Sequence, residues 1–483
     1  MEGGRIGRRA AYSTIALTAG QLASMVLAFV AVKLITNGYG LESYGIYSTA
    51  MAFTAIFALL ADFGVNAVTS REVARRPTEA DDIVPLSIGL RLALSSVVAP
   101  LILAGSFLVY PTSTSTLHLG IGLIVVTLIS DAVRSVLYGY LTARGRNPWI
   151  AAATVLQQVL YVGFVATAVL IRTGIVGVFC SYLAASVLTT VVVAFMLRKS
   201  VRMRPRASLP AWRSLFGMAI SIGTIQVVNL LYLRVDSLML SVLIGPGAVA
   251  LYAVAYAVIS GASAIPGFLM TSLLPGIVGE SEQGRARLLT RAFGVLAFLG
   301  ALLASLLMIA APALIRVISS SEFAAAALPL TILGFATFFT FAGPTFGYSA
   351  AMLNVHHRLV WVSIGGLVLN VVLNLALIPA AGPVGAATAT LVSEAAVFIS
   401  TVIVFRVKTG IRVRMLGAFI RSAALLMLVV TVDLALRRTV ERLPLLLEFA
   451  SLAALVLLAG ALVLGVEELG RRLRRRRGRL AVA

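Results

Sequence analysis

Apolar segments of about 20 residues follow one another along almost the whole chain, from Ala10 to Val466. A helix needs about that length to cross the hydrocarbon core of a bilayer. The polar gaps between the segments are short, and the longest runs only from Arg198 to Arg213. Because no extramembrane domain fits into such gaps, we predict an all-α polytopic membrane protein with about fourteen transmembrane helices.

Composition supports this fold class, since 60% of the residues are apolar and only 12% are charged. A soluble chain of 483 residues would need more charge to cover its surface. The single Cys180 excludes an internal disulfide. The predicted spans start near Ala10, Tyr44, Pro85, Leu117, Pro148, Val176, Ser214, Ala248, Ala292, Ala324, Leu359, Val384, Met415 and Pro444.

Basic residues are distributed unequally between alternate gaps. With the N-terminus inside, 29 of the 39 Lys and Arg residues fall in inner segments, 5 in outer loops and 5 within spans. Lys and Arg accumulate on the cytoplasmic side, so both termini are predicted to be cytoplasmic, in the cell membrane. The net charge of +21 is therefore read as a topology signal, with no nucleic-acid partner. The Arg-rich tail after Arg471 either anchors against anionic lipid or binds a partner.

Two halves of the chain resemble each other at a spacing of 205 to 208 residues. The matching pairs are Gln21 with Gln226, Gly40 with Gly245, Tyr47 with Tyr252, Gly139 and Tyr140 with Gly347 and Tyr348, and Gly174 and Gly177 with Gly382 and Gly385. Recurrence of Gly and Tyr at loop edges is the alternative explanation. A true repeat would relate two six-helix bundles by a pseudo-two-fold axis, an arrangement that transporters use.

The repeat predicts five regions along the chain. They are an N-terminal six-helix bundle over 1–197, a cytoplasmic linker over 198–213, a C-terminal six-helix bundle over 214–406, a terminal helix pair over 407–470 and a basic cytoplasmic tail over 471–483. A central cavity is expected between spans 1–6 and spans 7–12.

Motifs near the N-terminus carry a family resemblance. The chain reads Asn37-Gly-Tyr-Gly-Leu-Glu-Ser-Tyr-Gly-Ile-Tyr47, then Leu60-Ala-Asp-Phe-Gly-Val-Asn66, then Arg71-Glu-Val-Ala-Arg75. The second repeat carries Gly245-Pro-Gly-Ala-Val-Ala-Leu-Tyr252 at the equivalent loop. These segments resemble the Wzx-type polysaccharide flippases of the multidrug/oligosaccharidyl-lipid/polysaccharide exporter superfamily. Tyr39 departs from the family pattern, in which a proline is common at that point.

The resemblance implies an activity and a set of partners. It implies that the chain moves a lipid-linked oligosaccharide, typically on undecaprenyl pyrophosphate, from the inner to the outer leaflet. Membrane lipids, a polysaccharide polymerase and glycosyltransferases are the implied partners, and we expect a monomer with no cofactor. A drug/cation antiporter or a peptidoglycan-precursor flippase of the same superfamily, and a membrane enzyme such as a polymerase or glycosyltransferase, are the alternatives.

Charged residues within spans are the candidates for a substrate cavity, because each costs about 2.5–3.5 kcal/mol to insert. Arginine donates paired hydrogen bonds to phosphate, which makes Arg91, Arg134 and Arg234 candidate contacts for the pyrophosphate or sugar. Lys33 is a further candidate unless its side chain extends to the interface. Arg234 and Asp236 are two residues apart, so they must point to different faces of span 7 and need separate partners.

The acidic residues within spans have two possible roles. Asp62, Asp236 and Glu394 either neutralise basic partners or take up protons for ion coupling. Asp131 and Arg134 lie three residues apart on one helix and could pair with each other. Gln21 and Gln226 occupy equivalent positions and bind either sugar hydroxyls or a neighbouring helix.

Catalytic and metal signatures are poor throughout the sequence. The three histidines, His118, His356 and His357, do not form a metal-binding pattern. The sequence has no P-loop, nucleophile elbow or large outer loop of catalytic residues. We therefore predict a transporter with no catalytic residues and no metal site.

Overall fold

The computed structural model describes residues 2–111, 113–263, 265–278, 280–353, 356–440, 447–448 and 450–463. Within these residues all regular secondary structure is helical. The predicted basic tail, 471–483, and part of the predicted terminal helix pair lie outside the described residues. The described chain divides into two compact units at Ala253.

The first unit contains eight helices, the last of which continues past its boundary. They are α1 (Glu2–Asp62), α2 (Val65–Arg75), α3 (Ala80–Val109), α4 (Ser115–Ala143), α5 (Asn147–Leu170), α6 (Gly174–Leu197), α7 (Leu209–Leu243) and α8 (Pro246–Ala262). Helix α1 packs along α5, α4 and α7, and α4 packs between α3 and α6. A short 3-10 turn, Pro77–Glu79, joins α2 to α3.

The second unit begins within α8 and contains seven further helices. They are α9 (Ile265–Val278), α10 (Glu282–Ile318), α11 (Ala327–Ala342), α12 (Pro344–Met352), α13 (His356–Thr409), α14 (Leu416–Val440) and α15 (Ala450–Val463). Helix α10 packs along α11 and α14, and α11 packs along α13. The break between α11 and α12 falls immediately before Pro344, which cannot supply a helical N–H.

Glycines in the left-handed backbone region divide the longest helices. Gly40 interrupts α1 with φ of 77°, and Gly382 interrupts α13 with φ of 55°. Their repeat partners behave alike, with φ of 121° at Gly245 and 72° at Gly174. Only glycine adopts such conformations without a steric cost from Cβ. The repeat inferred from the sequence is therefore matched by shared backbone breaks at equivalent positions.

Eleven described helical segments are long and apolar enough to cross a membrane. Two of them, Ala16–Arg75 and Arg358–Thr409, contain the breaks at Gly40 and Gly382, and each is long enough for two crossings. The shorter apolar helix α15 adds a further candidate. The prediction of an all-α, multi-pass membrane protein is confirmed, while the count of fourteen remains a prediction.

Candidate functional site

Arg91 is the most enclosed of the predicted cavity residues. It lies on α3 with only 5% of its surface exposed. Its Nε and Nη2 donate to Ser135 Oγ on α4 at 3.2 and 3.0 Å. Its Nη1 lies 3.4 Å from Oδ1 of Asp62, the last residue of α1. Neither of these two facing atoms makes a hydrogen bond within the described structure, so both could respond to a bound ligand.

The Leu-x-Asp-x-Gly motif explains how Asp62 reaches this position. Phe63 has φ of 39° and Gly64 has φ of 81°, so the chain turns sharply between α1 and α2. A Cβ added to Gly64 would lie 3.0 Å from the backbone nitrogen of Gly223 on α7. The glycine therefore allows both the turn and the close approach of α7. This motif places the carboxylate of Asp62 at the end of a helix, facing α3.

A second charged group lies next to Ser135 on α4. Arg134 Nη2 donates to Asp131 Oδ1 at 2.5 Å, and Nη1 lies 3.4 Å from Ser186 Oγ on α6. Ser186 in turn donates to Asp131 Oδ1 at 3.1 Å. The pairing of Asp131 with Arg134, one of the two alternatives left open by the sequence, is the observed one. Their side chains remain 29% and 12% exposed, so a ligand could reach them.

These two groups form one polar cluster, which we call the α3–α4 charge cluster: Asp62, Arg91, Asp131, Arg134, Ser135 and Ser186. Its charges balance, since two arginines face two aspartates. The sequence predicted contacts for phosphate from the arginines alone. The structure adds that each guanidinium already has a carboxylate beside it, which a phosphate would have to displace or supplement.

Arg234 and Asp236 differ in environment, as their spacing on α7 predicts. Asp236 is 2% exposed and accepts a hydrogen bond of 2.6 Å from the buried hydroxyl of Tyr252. Arg234 is exposed, and its guanidinium forms no ion pair in the part of the chain that the structure describes. Asp236 is therefore held inside the first unit, while Arg234 remains available to a ligand.

The remaining predicted residues are more scattered. Lys33 is half-buried on α1, and Gln21 is exposed on the same helix. The side-chain oxygen of Gln226 on α7 is buried without a hydrogen-bond partner among the described residues. Glu394 lies in the second unit, half-buried, and its Oε2 is 3.4 Å from Thr340 Oγ1. The predicted roles of these residues stay predictions.

Glu72 is a buried charge that sequence reasoning did not single out. It is 4% exposed and lies within the Arg-Glu-x-Ala-Arg motif on α2. Its carboxylate is 2.8 Å from Arg76, 3.4 Å from Arg71 and 3.7 Å from Arg75. The motif and the adjoining Arg76 therefore gather three arginines around one acid at the end of α2. Its charge spacing on a helix was the signal that could have identified the group.

Ser135 and Ser186 were also missed, because serine is common in membrane helices and carries no distinctive spacing. Their role depends on helices that pack side by side, which the sequence does not report. In the described residues no group of three or more His, Cys, Asp and Glu side chains could hold a metal ion.

Comparisons with known proteins identify a family for this chain and several structures with a similar fold. The family model described as "Polysaccharide biosynthesis protein" matches residues 10–278. No curated protein matches the sequence. Among solved structures, "Lipid II flippase MurJ, inward closed conformation" is similar, with 13% identity and a TM-score of 0.73, over 96% of this chain and 99% of that chain.

Two other structural neighbours share the fold. An inward-facing multidrug resistance MATE family transporter of the MOP superfamily has 13% identity and a TM-score of 0.65, over 82% of this chain and 98% of that one. A MOP superfamily transporter from Pyrococcus furiosus has 15% identity and a TM-score of 0.57, over 85% of this chain and 96% of that one. Since the family match covers more than half of the 483 residues, this multi-pass membrane protein belongs to the polysaccharide biosynthesis protein family, as its N-terminal motifs predict.

Proposed function

We propose that this protein flips a lipid-linked oligosaccharide, carried on undecaprenyl pyrophosphate, from the inner to the outer leaflet of the cytoplasmic membrane. It does so by alternating access, and the product feeds the synthesis of a surface polysaccharide. Both termini face the cytoplasm in this proposal. Membership of the polysaccharide biosynthesis family and a fold shared with MOP superfamily transporters support the proposal.

The observation that carries the proposal is the enclosed Arg91 with its facing Asp62. A pyrophosphate needs donors inside an otherwise apolar bundle, and arginine is suited to it because its planar fork donates two parallel hydrogen bonds. Nη1 of Arg91 is 3.4 Å from the carboxylate and donates no hydrogen bond to it. This N–H can therefore donate a hydrogen bond to a phosphate oxygen of the substrate.

The paired acids give the cluster two states. Without substrate, Asp62 and Asp131 neutralise Arg91 and Arg134, which lowers the cost of holding charge inside the bundle. With substrate, the phosphate oxygens compete with the carboxylates for the same guanidinium groups. A ligand shifts a conformational equilibrium only through its different affinity for the two states. The exchange of partner at Arg91 and Arg134 supplies such a difference.

The function is tested by removing the gene from a strain that makes a surface glycan. Lipid-linked glycan should accumulate on the inner leaflet while surface glycan is lost. Accumulation of a peptidoglycan precursor instead would favour the peptidoglycan-precursor alternative. Altered drug sensitivity with normal surface glycan would favour the antiporter. Normal surface glycan with no accumulation of any lipid-linked sugar would reject the proposal.

Arginine variants test the assigned contacts at equal expression. Arg134→Ala and Arg234→Ala should each lower glycan export about tenfold or more, because a hydrogen bond to a charged group contributes roughly 1.5–3 kcal/mol. Arg287→Ala is the matched control, since Arg287 is exposed on α10 in a predicted inner segment. Equal export by all three variants would remove Arg134 and Arg234 from the site.

A further inference from the structure

An open groove runs between the two halves of α13 in the second unit. Helix α13 folds back at Gly382, so Arg358 near its start and Lys408 near its end lie at the same end of the groove. The groove has a volume of about 730 Å³. Beyond the two cations and Ser400 its wall is apolar, with Trp361 and Val407 each 71% exposed and Gly365 leaving open space where a Cβ would stand.

The charges at the mouth of this groove are unopposed. No acidic side chain lines it, and neither Arg358 nor Lys408 forms an ion pair in the described residues. The charge asymmetry of the loops assigns this end of α13 to the cytoplasmic side. Trp361 stands one helical turn further in than Arg358, on the same face. The order of these features along the groove matches that of a phospholipid. The cationic mouth matches the phosphate headgroup, Trp361 matches the glycerol level, and the apolar slot matches an acyl chain.

The first unit contains a matching groove between α5 and α6. It is lined by Arg146 and Trp149, which repeat the Arg-x-x-Trp spacing, but its volume is only about 170 Å³. Three of its lining residues, Val192 and Met196 on α6 and Ser200 just after it, correspond to Ser400, Val404 and Lys408 at the 208-residue repeat spacing. Ser200 therefore stands where the larger groove has its second cation. The α5–α6 groove therefore has a single cation and a smaller volume, and its Arg-x-x-Trp pair lies 212 residues before that of α13, four more than the repeat spacing.

We propose that the α13 groove is a binding site for an anionic glycerophospholipid of the surrounding leaflet, held by Arg358 and Lys408 at its phosphate and by the slot beside Trp361 at its acyl chain. Each basic residue near an anionic membrane surface contributes about 1 kcal/mol, so the two cations favour an anionic over a zwitterionic lipid. The α5–α6 groove, with one cation and less space, binds such a lipid more weakly. The inference does not depend on which substrate the protein moves.

Tryptophan fluorescence tests the site, because the chain has only three tryptophans. A Trp149→Phe/Trp212→Phe protein, full-length in mixed micelles, retains Trp361 as the only emitter. Brominated phosphatidylglycerol should quench it at a mole fraction roughly thirtyfold lower than brominated phosphatidylcholine, the ratio that two contributions of about 1 kcal/mol give. With Arg358→Gln/Lys408→Gln added, the two lipids should quench alike. Arg146→Gln added instead is the matched control and should leave the preference unchanged.

Three results would overturn the proposal. One is equal quenching by the two lipids before the cations are replaced, and another is a preference that survives Arg358→Gln/Lys408→Gln. The third comes from competition: if undecaprenyl phosphate relieves the quenching more than unlabelled phosphatidylglycerol does, the groove binds a polyprenyl carrier. Native mass spectrometry, comparing phosphatidylglycerol adducts before and after Arg358→Gln/Lys408→Gln in the otherwise natural sequence, gives the same decision if the tryptophan variant does not fold.

Discussion

The two halves of the repeat place different chemistry on equivalent positions. Asp131, which holds Arg134 in the first unit, corresponds to Phe339 in the second at the spacing of 208 residues. Tyr138 corresponds in the same way to Phe346. Ser186, which contacts both Asp131 and Arg134, corresponds to Glu394, which accepts a hydrogen bond from Thr340. Of the α3–α4 charge cluster, Asp131 therefore has a phenylalanine at its repeat position, whereas Ser186 has a carboxylate.

The second unit packs these aromatic side chains into one group, which we call the phenylalanine cluster: Phe293, Phe339, Phe346, Phe398 and Phe405. Ring centroids within it lie 5.5 to 6.2 Å apart, distances typical of favourable aromatic pairs. A duplicated helical plan can therefore carry paired charges in one half and tight aromatic packing in the other. Four changes test that division.

The largest effect is expected from Arg91→Ala. It leaves the Asp62 carboxylate without its cation, which should cost about 3–5 kcal/mol of unfolding free energy. Glycan export per folded molecule should also fall at least tenfold, because a charged donor to the phosphate is lost, an interaction of roughly 1.5–3 kcal/mol. Thermal unfolding in detergent and surface glycan at matched protein level measure the two effects.

A charge-balanced control separates folding from transport. Asp62→Asn/Arg91→Gln removes both charges and should recover much of the stability without recovering export. If export recovers along with stability, Arg91 serves the fold alone, and the contrast between the charge cluster and the phenylalanine cluster loses its functional meaning.

A change in the phenylalanine cluster should affect stability alone. Phe398→Ala removes a ring that contacts Phe293, Phe339 and Phe346. We expect a loss of about 3 kcal/mol, at the lower end for this substitution because neighbouring rings can move into the gap. Export per folded molecule should stay within about twofold of the starting protein if no binding contact is lost. Phe398→Leu is the conservative control, and a tenfold fall in export in either variant would contradict the division.

An ion pair in the second unit provides an intermediate case. Arg316 on α10 contacts both carboxylate oxygens of Glu448, which is 5% exposed, at 2.7 and 2.9 Å. Arg316→Gln should lower the unfolding free energy by about 1–3 kcal/mol, since the buried carboxylate loses its cation. Export should be unchanged in a transport assay at equal expression. A loss of export as large as that of Arg91→Ala would show that charge in the second unit also serves transport.

The smallest effect concerns the backbone that the two halves share. Gly40→Ala and Gly245→Ala each place a Cβ on a residue with positive φ, which should cost about 1–2 kcal/mol. The two losses should be similar if the positions are equivalent in the repeat. Gly122→Ala is the control, because that glycine lies inside α4 with open space around it and should gain stability. Unequal losses would weaken the equivalence of the two breaks, as measured by thermal unfolding.

Part of the candidate site could be predicted from local sequence. The pair Asp131 and Arg134 is three residues apart on one helix, so its contact follows from helical geometry. The opposite faces of Arg234 and Asp236 follow in the same way. The contacts of Arg91 could not be predicted, because they join it to Asp62 on α1 and Ser135 on α4. No local spacing encodes which helices become neighbours.

By itself the sequence determined the membrane-spanning class, the repeat and the glycines that break its helices. Each of these depends on residues close in the chain: apolar runs long enough for a bilayer, a constant spacing and the backbone freedom of glycine. The pairing of charges in the first unit and the packing of phenylalanines in the second are visible in the tertiary structure alone. Those contacts cross between helices, and helix packing depends on the combined shape of many side chains rather than on any single segment.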